Sequence, residues 1–556
     1  MKITGAAAIA QCLVEQNATT VFGYPGGQIL DVFDALYNEP RITQILTSHE
    51  QGAAHAAEGY ARSTGKVGVV IATSGPGATN LVTGIADAYL DSVPLVAITG
   101  NVPVHLLGRD SFQEVDIAGI TMPVTKHNFI VKRPEDLVGA IRRAFELAIS
   151  DRPGPVLVDV PKNVQQSLVD YEKAEPAVRH VPPMSDVSAA SMLIAASKRP
   201  LIYAGGGCIA SGATDELLRF AQKIKAPIAT SMMGLSVIPS EHPYCAGLIG
   251  MHGTACVAKL LEKCDLIIAV GARFSDRVAG DRKNFCPHAK IVHIDIDAAE
   301  IDKNVASSAS VRGDAKAVLA KLTALVSEKT DTTMLDKCAE YKTRFPLPPC
   351  RGTLSPRSII NFVSNSAKDA IIATDVGQHQ MWVAQGYKFA SPRTFLTSGG
   401  LGTMGFGLGA AIGGAVGTGK RAVLFTGDGS FHMNLNELAT ATRLGIPLTV
   451  IIFDNRTLGM VRQWQTLFYG KRYSSTDLDT NKTDFVKLAE AFGAHGMRID
   501  SDADIAEKLG EALIAPGTTV VDCMIDKDEF VLPMIPPGKG VGEIITSIDT
   551  DGKISK

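Results

Sequence analysis

The chain has 556 residues, 46% of them hydrophobic and 20% charged, and its 54 Lys and Arg against 57 Asp and Glu give a formal net charge of −3. This near balance offers no electrostatic reason to expect nucleic acid or an anionic membrane as a partner. No stretch approaches the ~18 uninterrupted apolar residues that a membrane-spanning helix needs. Nine scattered cysteines without a CxxC pair, and an N-terminus without a signal or transit pattern, predict free thiols in a cytoplasmic protein.

Short apolar runs alternate with helical patterns along the whole chain, and many of these runs end in glycine-containing turns. Buried strands separated by helices are typical of α/β layers built on parallel sheets. At roughly 100–200 residues per domain, the length predicts about three domains. Charged or proline-bearing linkers at 170–185 and 344–356 divide the chain into 1–170, 186–343 and 356–540. We therefore predict an α/β protein with three doubly wound parallel-sheet domains.

The first functional pattern along the chain is TSHEQGAAHAAEGYA at 47–61, which follows an apolar strand. Glu50 begins a predicted helix whose small residues allow close packing, so we expect its carboxylate to be buried. Such a glutamate fits two interpretations, a helix-capping residue and an acid inside an active site. His49 and His55 do not form a zinc motif with it, because HEQGAAH lacks the HExxH spacing that places both histidines on one helical face.

The middle piece carries glycine clusters next to predicted strands, with Asp295 at the end of a later strand. A lone glycine cluster is a weak dinucleotide-binding pattern, although Asp295 has the chemistry to hold a ribose or adenine. A nucleotide site and ordinary tight packing both remain open from these residues alone. The clusters and their flanking residues are Gly205, Gly206, Gly207, Thr230, Met232, Gly271 and Arg273.

The sharpest motif lies in the third piece, where Gly427-Asp428-Gly429-Ser430 follows a buried strand and Asn455 follows the next strand, 27 residues after Asp428. Magnesium binds oxygen ligands in an octahedron, with few protein groups and the rest from phosphate and water. Asp428 and Asn455 therefore predict a magnesium and diphosphate site, with flanking glycines that let phosphates approach the main chain. A GDG sequence by itself also fits an ordinary tight turn.

The GDG motif and the later asparagine resemble the signature of thiamine-diphosphate enzymes, in which an Asn pair follows GDG. Here the pair is Asp454-Asn455, so the position of the metal ligand is kept and its neighbour differs. The resemblance implies that Asp428, Asn455 and the main chain of Thr457 bind magnesium.

The same resemblance implies which residues contact thiamine diphosphate. Glu50 would protonate the aminopyrimidine ring and so activate the cofactor. Met404, in the glycine-rich turn 398–409, would support the folded cofactor, and the segment 375–382 would hold the diphosphate. The implied contact residues are Tyr24, Pro25, Gly26, Val376, Gly377, Gln378, His379, Met404, Gly427, Gly429, Ser430 and Met460.

Six segments in one order, spread over essentially the whole chain, resemble the acetohydroxyacid synthase (acetolactate synthase) family: YPGG from 24, DSFQE from 110, PKN from 161, GMHG from 250, GARFSDR from 271 and LGMVRQWQ from 458. The implied fold is that of thiamine-diphosphate decarboxylases and carboligases. Arg277 would bind the carboxylate of a second keto acid, and Trp464 would favour an acceptor with an extra methylene. The other implied cavity residues are Gly27, Phe112, Gln113 and Lys162.

The roles assigned to Arg277 and Trp464 each have a simpler alternative when the residues are considered without the resemblance. Arg277 could form an ion pair with Asp276 or Asp281, and Trp464 could be an ordinary, partly buried aromatic. The resemblance implies that pyruvate loses carbon dioxide and joins a second pyruvate or 2-ketobutyrate, which leads to branched-chain amino acids. The alternatives are a pyruvate oxidase-type flavin enzyme, a catabolic FAD-independent acetolactate synthase, and a catalytically inactive binding protein on the same fold.

The segment GARFSDR is similar to that of flavin-binding members of the family, although Ser275 stands where an acidic residue is usual. The resemblance therefore implies FAD in the middle domain without a redox part in the reaction. The implied contact residues are Arg152, Gly205, Gly206, Gly207, Thr230, Met232, Gly250, Met251, His252, Gly271, Arg273, Asp276, Asp295, Ile296 and Asp314.

The resemblance also implies partners. In this family thiamine lies between the first domain of one chain and the third domain of another, so we expect a homodimer or homotetramer. A regulatory small subunit is expected as well, and the substrates are small-molecule 2-keto acids.

Overall fold

The computed structural model describes residues 1–548 and 554–555. It contains three six-stranded sheets, one from each third of the chain, and every strand pair within them is parallel. This confirms the predicted α/β class with three parallel-sheet domains, which we name the N-terminal, middle and C-terminal domains.

The N-terminal domain has eight strands: β1 (Lys2–Thr4), β2 (Thr20–Tyr24), β3 (Thr43–Leu46), β4 (Gly68–Ala72), β5 (Leu95–Asn101), β6 (His127–Ile130), β7 (Pro155–Pro161) and β8 (Leu168–Asp170). The sheet order is β3-β2-β4-β5-β7-β6, while β1 and β8 form a separate antiparallel pair. The central strands β4 and β5 are buried along their whole length because helices cover both faces. The helices are α1 (Gly5–Glu15), α2 (Leu30–Tyr37), α3 (Glu50–Thr64), α4 (Pro76–Thr79), α5 (Val82–Asp91), α6 (Ile117–Thr121), α7 (Leu137–Ile149) and α8 (Lys162–Gln166).

The middle domain has six strands: β9 (Pro200–Ala204), β10 (Ile228–Thr230), β11 (Cys245–Leu248), β12 (Leu266–Val270), β13 (Lys290–Asp295) and β14 (Ala309–Arg312). Their order is β11-β10-β9-β12-β13-β14, the order of dinucleotide-binding folds. The helices are α9 (Ser188–Ala196), α10 (Gly206–Ala210), α11 (Thr214–Ile224), α12 (Ala255–Leu261), α13 (Asp276–Ala279), α14 (Ala315–Leu325) and α15 (Thr333–Arg344).

The C-terminal domain has the sheet strands β15 (Ile371–Thr374), β16 (Phe395–Leu396), β17 (Ala422–Gly427), β18 (Leu448–Asp454), β19 (His495–Ile499) and β20 (Thr518–Met524). Their order is β16-β15-β17-β18-β20-β19. The helices are α16 (Pro356–Ser366), α17 (Gln378–Gly386), α18 (Phe406–Thr418), α19 (Asp428–Phe431), α20 (Leu438–Arg443), α21 (Gly459–Phe468), α22 (Phe485–Ala491) and α23 (Gly510–Ile514). A final antiparallel pair joins β21 (Ser547–Ile548) and β22 (Ile554–Ser555).

Shorter helical turns connect these elements. They are the 3₁₀ helices Val104–Leu106, Met122–Val124, Pro134–Asp136, Met232–Gly234, Arg282–Asn284, Leu435–Glu437, Asp502–Asp504 and Val541–Glu543, and the π-helix Ile505–Leu509. In the part of the chain that the structure describes, no helix has both the length and the apolar character needed to cross a membrane.

The N-terminal and C-terminal sheets share one topology. When only the six strands of each parallel sheet are counted, both have the strand order 2-1-3-4-6-5, whereas the middle domain has 3-2-1-4-5-6. In open parallel sheets, ligands bind outside the carboxyl ends of strands where the chain order reverses. These reversal points lie between β2 and β4, between β9 and β12, and between β15 and β17, so each domain offers one crevice.

Helices α3 and α18 hold the N-terminal and C-terminal domains together within the chain. A Cβ atom added at Gly59 of α3 would collide with the Ala410 carbonyl, and one added at Gly413 of α18 would collide with the Ala56 carbonyl. The two backbones approach this closely only because both positions are glycine. The small-residue pattern after Glu50 is therefore an interdomain packing surface.

Candidate active site

A cavity of about 1740 Å³ lies where the three domains meet. It is larger than a typical site for one small ligand, which occupies roughly 300–1,000 Å³. The predicted residues that line it are Arg152, Gly206, Gly207, Met232, Met251, His252, Gly271, Arg273, Asp276, Arg277, Asp295, Ile296, Asp314, Val376, Gly377, Met404, Met460 and Trp464. The structure thus brings most of the residues predicted for the flavin into one space with part of those predicted for thiamine.

Three residues predicted to contact the flavin do not line this cavity. A Cβ at Gly205 would collide with the Gly271 carbonyl, so Gly205 lets β9 and β12 approach each other at their reversal point. Thr230 is 3% exposed, at the end of β10. Gly250 has a φ of +108°, a left-handed conformation that favours glycine in a tight turn. These positions shape the cavity from behind its surface.

Arg277 and Trp464 face each other inside the cavity. The Arg277 Cζ lies 5.9 Å from the centre of the Trp464 ring, although the two residues belong to different domains. The Arg277 Nη1 also lies 3.7 Å from the Asp276 carboxylate, in a pair whose two side chains are more than half exposed. An exposed pair of this kind contributes little stability, so the guanidinium remains available to a second anion.

His252 lines the same cavity as Arg277 and Trp464. Burial, with the charge of Arg277 nearby, lowers the pKa of His252 to about 4, so the ring is neutral at pH 7. Its buried Nδ1 has no hydrogen-bond partner among the described residues. A neutral imidazole with a free ring nitrogen can receive or donate one hydrogen bond to a ligand in the cavity.

The predicted metal ligands lie together at the carboxyl ends of β17 and β18. Gly427 pairs with Phe453 in the sheet, which places Asp428 beside Asp454. Asp428 and Asn455 are 5% and 8% exposed. Burial and the neighbouring Asp454 raise the pKa of Asp428 to about 7. Buried carboxylates side by side favour either a proton or a cation, and the oxygen donors are those that magnesium prefers.

Gln378 positions Asn455 by hydrogen bonds inside the protein. Its Oε1 accepts from Asn455 Nδ2 at 3.3 Å, and its Nε2 donates to the Glu529 carbonyl at 2.7 Å and to Gln463 Oε1 at 3.1 Å. The Asn455 Oδ1 in turn accepts from the Thr457 amide at 3.2 Å. The sequence predicted Gln378 as a cofactor contact, and in the structure its side-chain oxygen accepts a hydrogen bond from Asn455, one of the predicted metal ligands.

His379 and Ser430 leave unpartnered polar atoms beside the glycine turn. The imidazole of His379 lies against Gly377 and Gly427, since a Cβ at either glycine would come within 2.7 to 3.2 Å of the ring. Burial lowers the pKa of His379 to about 3, so the ring is neutral. Its Nε2 and the Ser430 Oγ are buried without a partner among the described residues. Such atoms next to open glycine backbone suit the oxygens of a diphosphate.

The remaining predicted residues form a second group at the carboxyl end of the N-terminal sheet. Lys162 Nζ donates to the Gly27 carbonyl at 2.7 Å, and a Cβ at Gly75 would come within 2.9 Å of the Gln113 carbonyl. Phe112 is 83% exposed and Tyr24 is 41% exposed, at the ends of this surface. None of the predicted residues of this group lines the three-domain cavity. Its members are Tyr24, Pro25, Gly26, Gly27, Glu50, Phe112, Gln113 and Lys162.

Glu50 occupies the first turn of α3. Its Oε2 accepts from Asn80 Nδ2 at 2.9 Å, while Oε1 lies near Gly77, where a Cβ would be 3.2 Å away. The side chain is half-buried in the single chain, so the expected complete burial is not reached within one protomer. The reason is that Glu50 lies in the first turn of α3, where the neighbouring residues Ser48, His49 and Gln51 are also only partly buried. His49 is the N-cap of α3, and its Nδ1 accepts from the Gln51 amide at 3.1 Å, a role different from metal binding.

Two groups of residues that contact the candidate site or its segments were not predicted from the sequence. Asn80 donates a hydrogen bond to Glu50, and it could have been found because it ends the short helix α4, which follows β4 through a turn at Gly75. Glu437 and Asp91 hold backbone segments of the opposite domain over separations of more than 300 residues. No local pattern in the sequence marks these long-range contacts.

Comparison with known proteins agrees with this geometry. Residues 3–120 match the N-terminal TPP binding domain of thiamine pyrophosphate enzymes, residues 187–322 match the central domain, and residues 375–523 match the C-terminal TPP binding domain. A probable acetolactate synthase large subunit of Methanocaldococcus jannaschii is 48% identical over 99% of this chain and 97% of its own length. The acetolactate synthase large subunit of Corynebacterium glutamicum is 46% identical, over 98% and 90% respectively. The acetolactate synthase isozyme 2 large subunit of Escherichia coli is 43% identical, over 98% and 100%.

Proposed function

The chain belongs to the acetolactate synthase large-subunit family of thiamine pyrophosphate enzymes, and from this premise we propose that it is an acetohydroxyacid synthase. The reaction joins pyruvate, with loss of carbon dioxide, to a second pyruvate or to 2-ketobutyrate in branched-chain amino acid biosynthesis. The observation that carries this proposal is the contact between the Arg277 guanidinium and the Trp464 ring in the cavity. A guanidinium suits the carboxylate of an acceptor keto acid, and the indole beside it suits its alkyl group.

The C-terminal domain has the donor set for magnesium and a diphosphate. Asp428, Asn455 and the Thr457 carbonyl would bind the cation, which would neutralise the paired buried carboxylates at this position. The free Nε2 of His379 and Oγ of Ser430 would receive phosphate oxygens next to the glycine backbone. Thiamine diphosphate supplies the electron sink that allows a 2-keto acid to lose carbon dioxide.

The N-terminal domain has the carboxylic acid proposed for proton transfer. Glu50 would exchange a proton through Oε1, because Oε2 is held by Asn80 and no group among the described residues donates to Oε1. Lys162, Gln113 and Phe112 surround this surface and would exclude water and orient the donor keto acid. On the cavity side, Arg277 would hold the acceptor carboxylate while Trp464 limits the size of the acceptor.

We also propose that FAD binds in the middle domain. The support is the size of the cavity, the close approach of Gly207 and Gly271 at the reversal point of the sheet, and the free Nδ1 of His252. Asp295, at the end of β13, lines the cavity and has the chemistry to hold a ribose or adenine. The flavin would be structural, because the proposed reaction includes no net oxidation.

The assembly and the domain limits complete the proposal. Glu50 and its neighbours face outward and are absent from the cavity, and large exposed aromatics such as Phe112 favour burial against another chain. We propose a homodimer or homotetramer, located in the cytoplasm, in which this surface meets the C-terminal domain of a partner, together with a regulatory small subunit. The domain limits 1–170, 186–343 and 356–540 belong to the proposal, supported by one sheet within each range.

The test is acetolactate formation from pyruvate by purified protein, with thiamine diphosphate, Mg²⁺ and FAD omitted in turn. We expect no product without thiamine diphosphate or Mg²⁺ and reduced product without FAD. Full activity without FAD would indicate the FAD-independent type of acetolactate synthase. Oxygen uptake far above acetolactate formation would indicate a pyruvate oxidase, and carbon dioxide without acetolactate would remove the acceptor roles of Arg277 and Trp464.

A further inference from the structure

Two buried carboxylates accept hydrogen bonds across the contact between the N-terminal and C-terminal domains, one near each end of helix α3. Glu437, from the C-terminal domain, accepts from the backbone amides of Ser48 at 3.1 Å and of His49 at 2.9 Å. Asp91, from the N-terminal domain, accepts from the amides of Gly399 at 2.8 Å and Gly400 at 2.7 Å. Each carboxylate thus binds two successive amides of the opposite domain. We call these contacts the Glu437 clamp and the Asp91 clamp.

The carboxylate of each clamp is buried, although Gly399 and Gly400, whose amides bind Asp91, are exposed at the cavity surface. Glu437 has no exposed surface, and the side chain of Asp91 has none either. The Thr440 hydroxyl donates to Glu437 at 2.6 Å, and the Arg62 guanidinium of α3 donates to Asp91 at 2.7 Å. Burial raises the pKa of Glu437, and the donated hydrogen bonds oppose that rise. Charge-assisted bonds in such surroundings fix backbone positions firmly.

The clamped segments are the ones that lead into the proposed active-site residues. Ser48 and His49 come directly before Glu50 at the start of α3. Gly399 and Gly400 open the turn that continues through Gly402, with a φ of +74°, to Met404 in the cavity wall. Each clamp therefore holds one of these segments through the opposite domain of the same chain.

The glycines near the clamps are explained by the same contacts. A Cβ at Gly52 would collide with the Glu437 carboxylate, and one at Gly400 would lie 2.9 Å from the Asp91 carboxylate. Each carboxylate therefore occupies space that a side chain would take at any other residue type. Glycine at positions 52 and 400 is therefore explained by the buried carboxylates.

We propose that Glu437 and Asp91 are positioning residues, which set the start of α3 and the 399–404 turn in the geometry that the reaction needs. This inference rests on the proposed function, because that function gives Glu50 and Met404 their roles. The alternative is that the clamps only hold two domains together. A purely structural role would change stability, whereas a positioning role changes turnover in protein that remains folded.

The decisive variants are Glu437→Gln and Asp91→Asn, with Glu15→Gln as the matched control. Glu15 is also a buried carboxylate, and it accepts from Arg142 at 2.8 Å and from the Ala174 amide at 3.0 Å, away from either proposed site. The milder variant Thr440→Val removes one donor to Glu437 and serves if E437Q does not fold. Folding is checked by thermal unfolding, and activity is referred to folded protein.

The first measurement is amide hydrogen exchange in the cofactor-free protein. We expect exchange at 48–49 to rise about tenfold in E437Q, and exchange at 399–400 to rise similarly in D91N, while E15Q changes neither segment. Unchanged exchange in both variants would overturn the proposal. This measurement needs no reaction, so it tests the clamps even if wild-type protein makes no acetolactate, which would contradict the proposed function alone.

The second measurement is steady-state kinetics with pyruvate. We expect kcat of E437Q to fall about tenfold with KM changed less than about twofold, because a shifted Glu50 impairs proton transfer more than substrate binding. E15Q should lower the unfolding temperature and leave kcat unchanged. If E437Q lowers stability as E15Q does and keeps the wild-type kcat, the clamp is structural and the proposal is wrong.

Discussion

The N-terminal and C-terminal domains have the same strand order but place different chemistry at the reversal point of the sheet. In the C-terminal domain, the loops after β15 and β17 bring carboxylate, amide and glycine backbone together around the buried Asp428. In the N-terminal domain, the corresponding loops after β2 and β4 leave an exposed surface around Glu50. One topology therefore provides a closed, proposed anion and metal site in one copy and an open acid-bearing surface in the other. The comparison shows that the fold sets the place of a site, while loop residues set its chemistry.

The largest effect should come from the closed site of the C-terminal domain. Asp428→Asn removes the only charged ligand of the proposed magnesium site, so we expect acetolactate formation to fall at least about 1000-fold. Binding of thiamine diphosphate, followed by quenching of protein fluorescence, should lose its dependence on Mg²⁺. Asp454→Asn is the control, because it removes the adjacent charge and should keep activity within about threefold. Equal losses in both variants would contradict the assignment of Asp428 as ligand.

Substitution in the open site of the N-terminal domain should lower activity less, and it should affect turnover without affecting cofactor binding. Glu50→Gln keeps the size of the side chain and its contact with Asn80 but removes the acid, so we expect about a 100-fold fall in kcat with Mg²⁺-dependent cofactor binding retained. Asn80→Ala removes only the hydrogen bond to the Glu50 carboxylate, so it should lower kcat less than E50Q does. Wild-type turnover in E50Q would show that the two domains do not divide the chemistry as proposed.

The space between the domains should decide between substrates. Trp464→Leu reduces the apolar surface facing Arg277, so we expect the preference for 2-ketobutyrate over pyruvate to fall about tenfold. Competition between the two acceptors, with both products measured, gives this ratio directly. Phe468→Leu is a suitable control, since Phe468 packs against Trp464 at 5.6 Å between ring centres and does not line the cavity. An unchanged preference between the two acceptors in W464L would show that Trp464 is an ordinary packing residue without a role in substrate choice.

The smallest expected effect is a pH dependence confined to the C-terminal site. The pKa of Asp428 is raised to about 7 in the folded protein, so the metal-free folded protein holds a proton there below pH 7. The unfolded chain releases this proton at lower pH, so the free energy of unfolding decreases as the pH rises towards 7. Because Mg²⁺ requires the carboxylate, its apparent affinity should fall about tenfold per pH unit below 7. Mg²⁺ with thiamine diphosphate should therefore raise the unfolding temperature more at pH 8 than at pH 6. An equal rise at both values would contradict this account, and D454N should reduce the difference.

The local parts of the fold were predictable because they depend on short segments. A buried apolar strand that ends in glycine and a polar residue, as at Gly427 and Asp428, defines a parallel strand and the start of a ligand crevice. The three α/β domains and the family followed from such segments, and both are confirmed. The shared strand order of the outer domains did not follow, because strand order is set by helix packing on the two faces.

The tertiary parts were not predictable from local patterns. Gly205 fits the pattern of a phosphate-binding glycine, and the structure uses it for the contact with Gly271. Gln378 follows a strand end like a ligand-binding residue, and it forms hydrogen bonds within the protein to Asn455 and Gln463. Glu437 accepts from residues almost 400 positions earlier. Only the folded chain brings such partners together, so a sequence motif gives the class of chemistry more readily than the role of each residue.

The contact between α3 and α18 has a consequence for biosynthesis of the chain. Helix α3 ends at Thr64, while its partner α18 begins at Phe406. At ribosomal rates of roughly 5–20 residues per second, the N-terminal domain spends on the order of 20 to 70 s with its small-residue face and the charged Arg62 uncovered. Nascent protein should therefore be most prone to aggregation and proteolysis during this interval, and docking of the last domain ends that exposure.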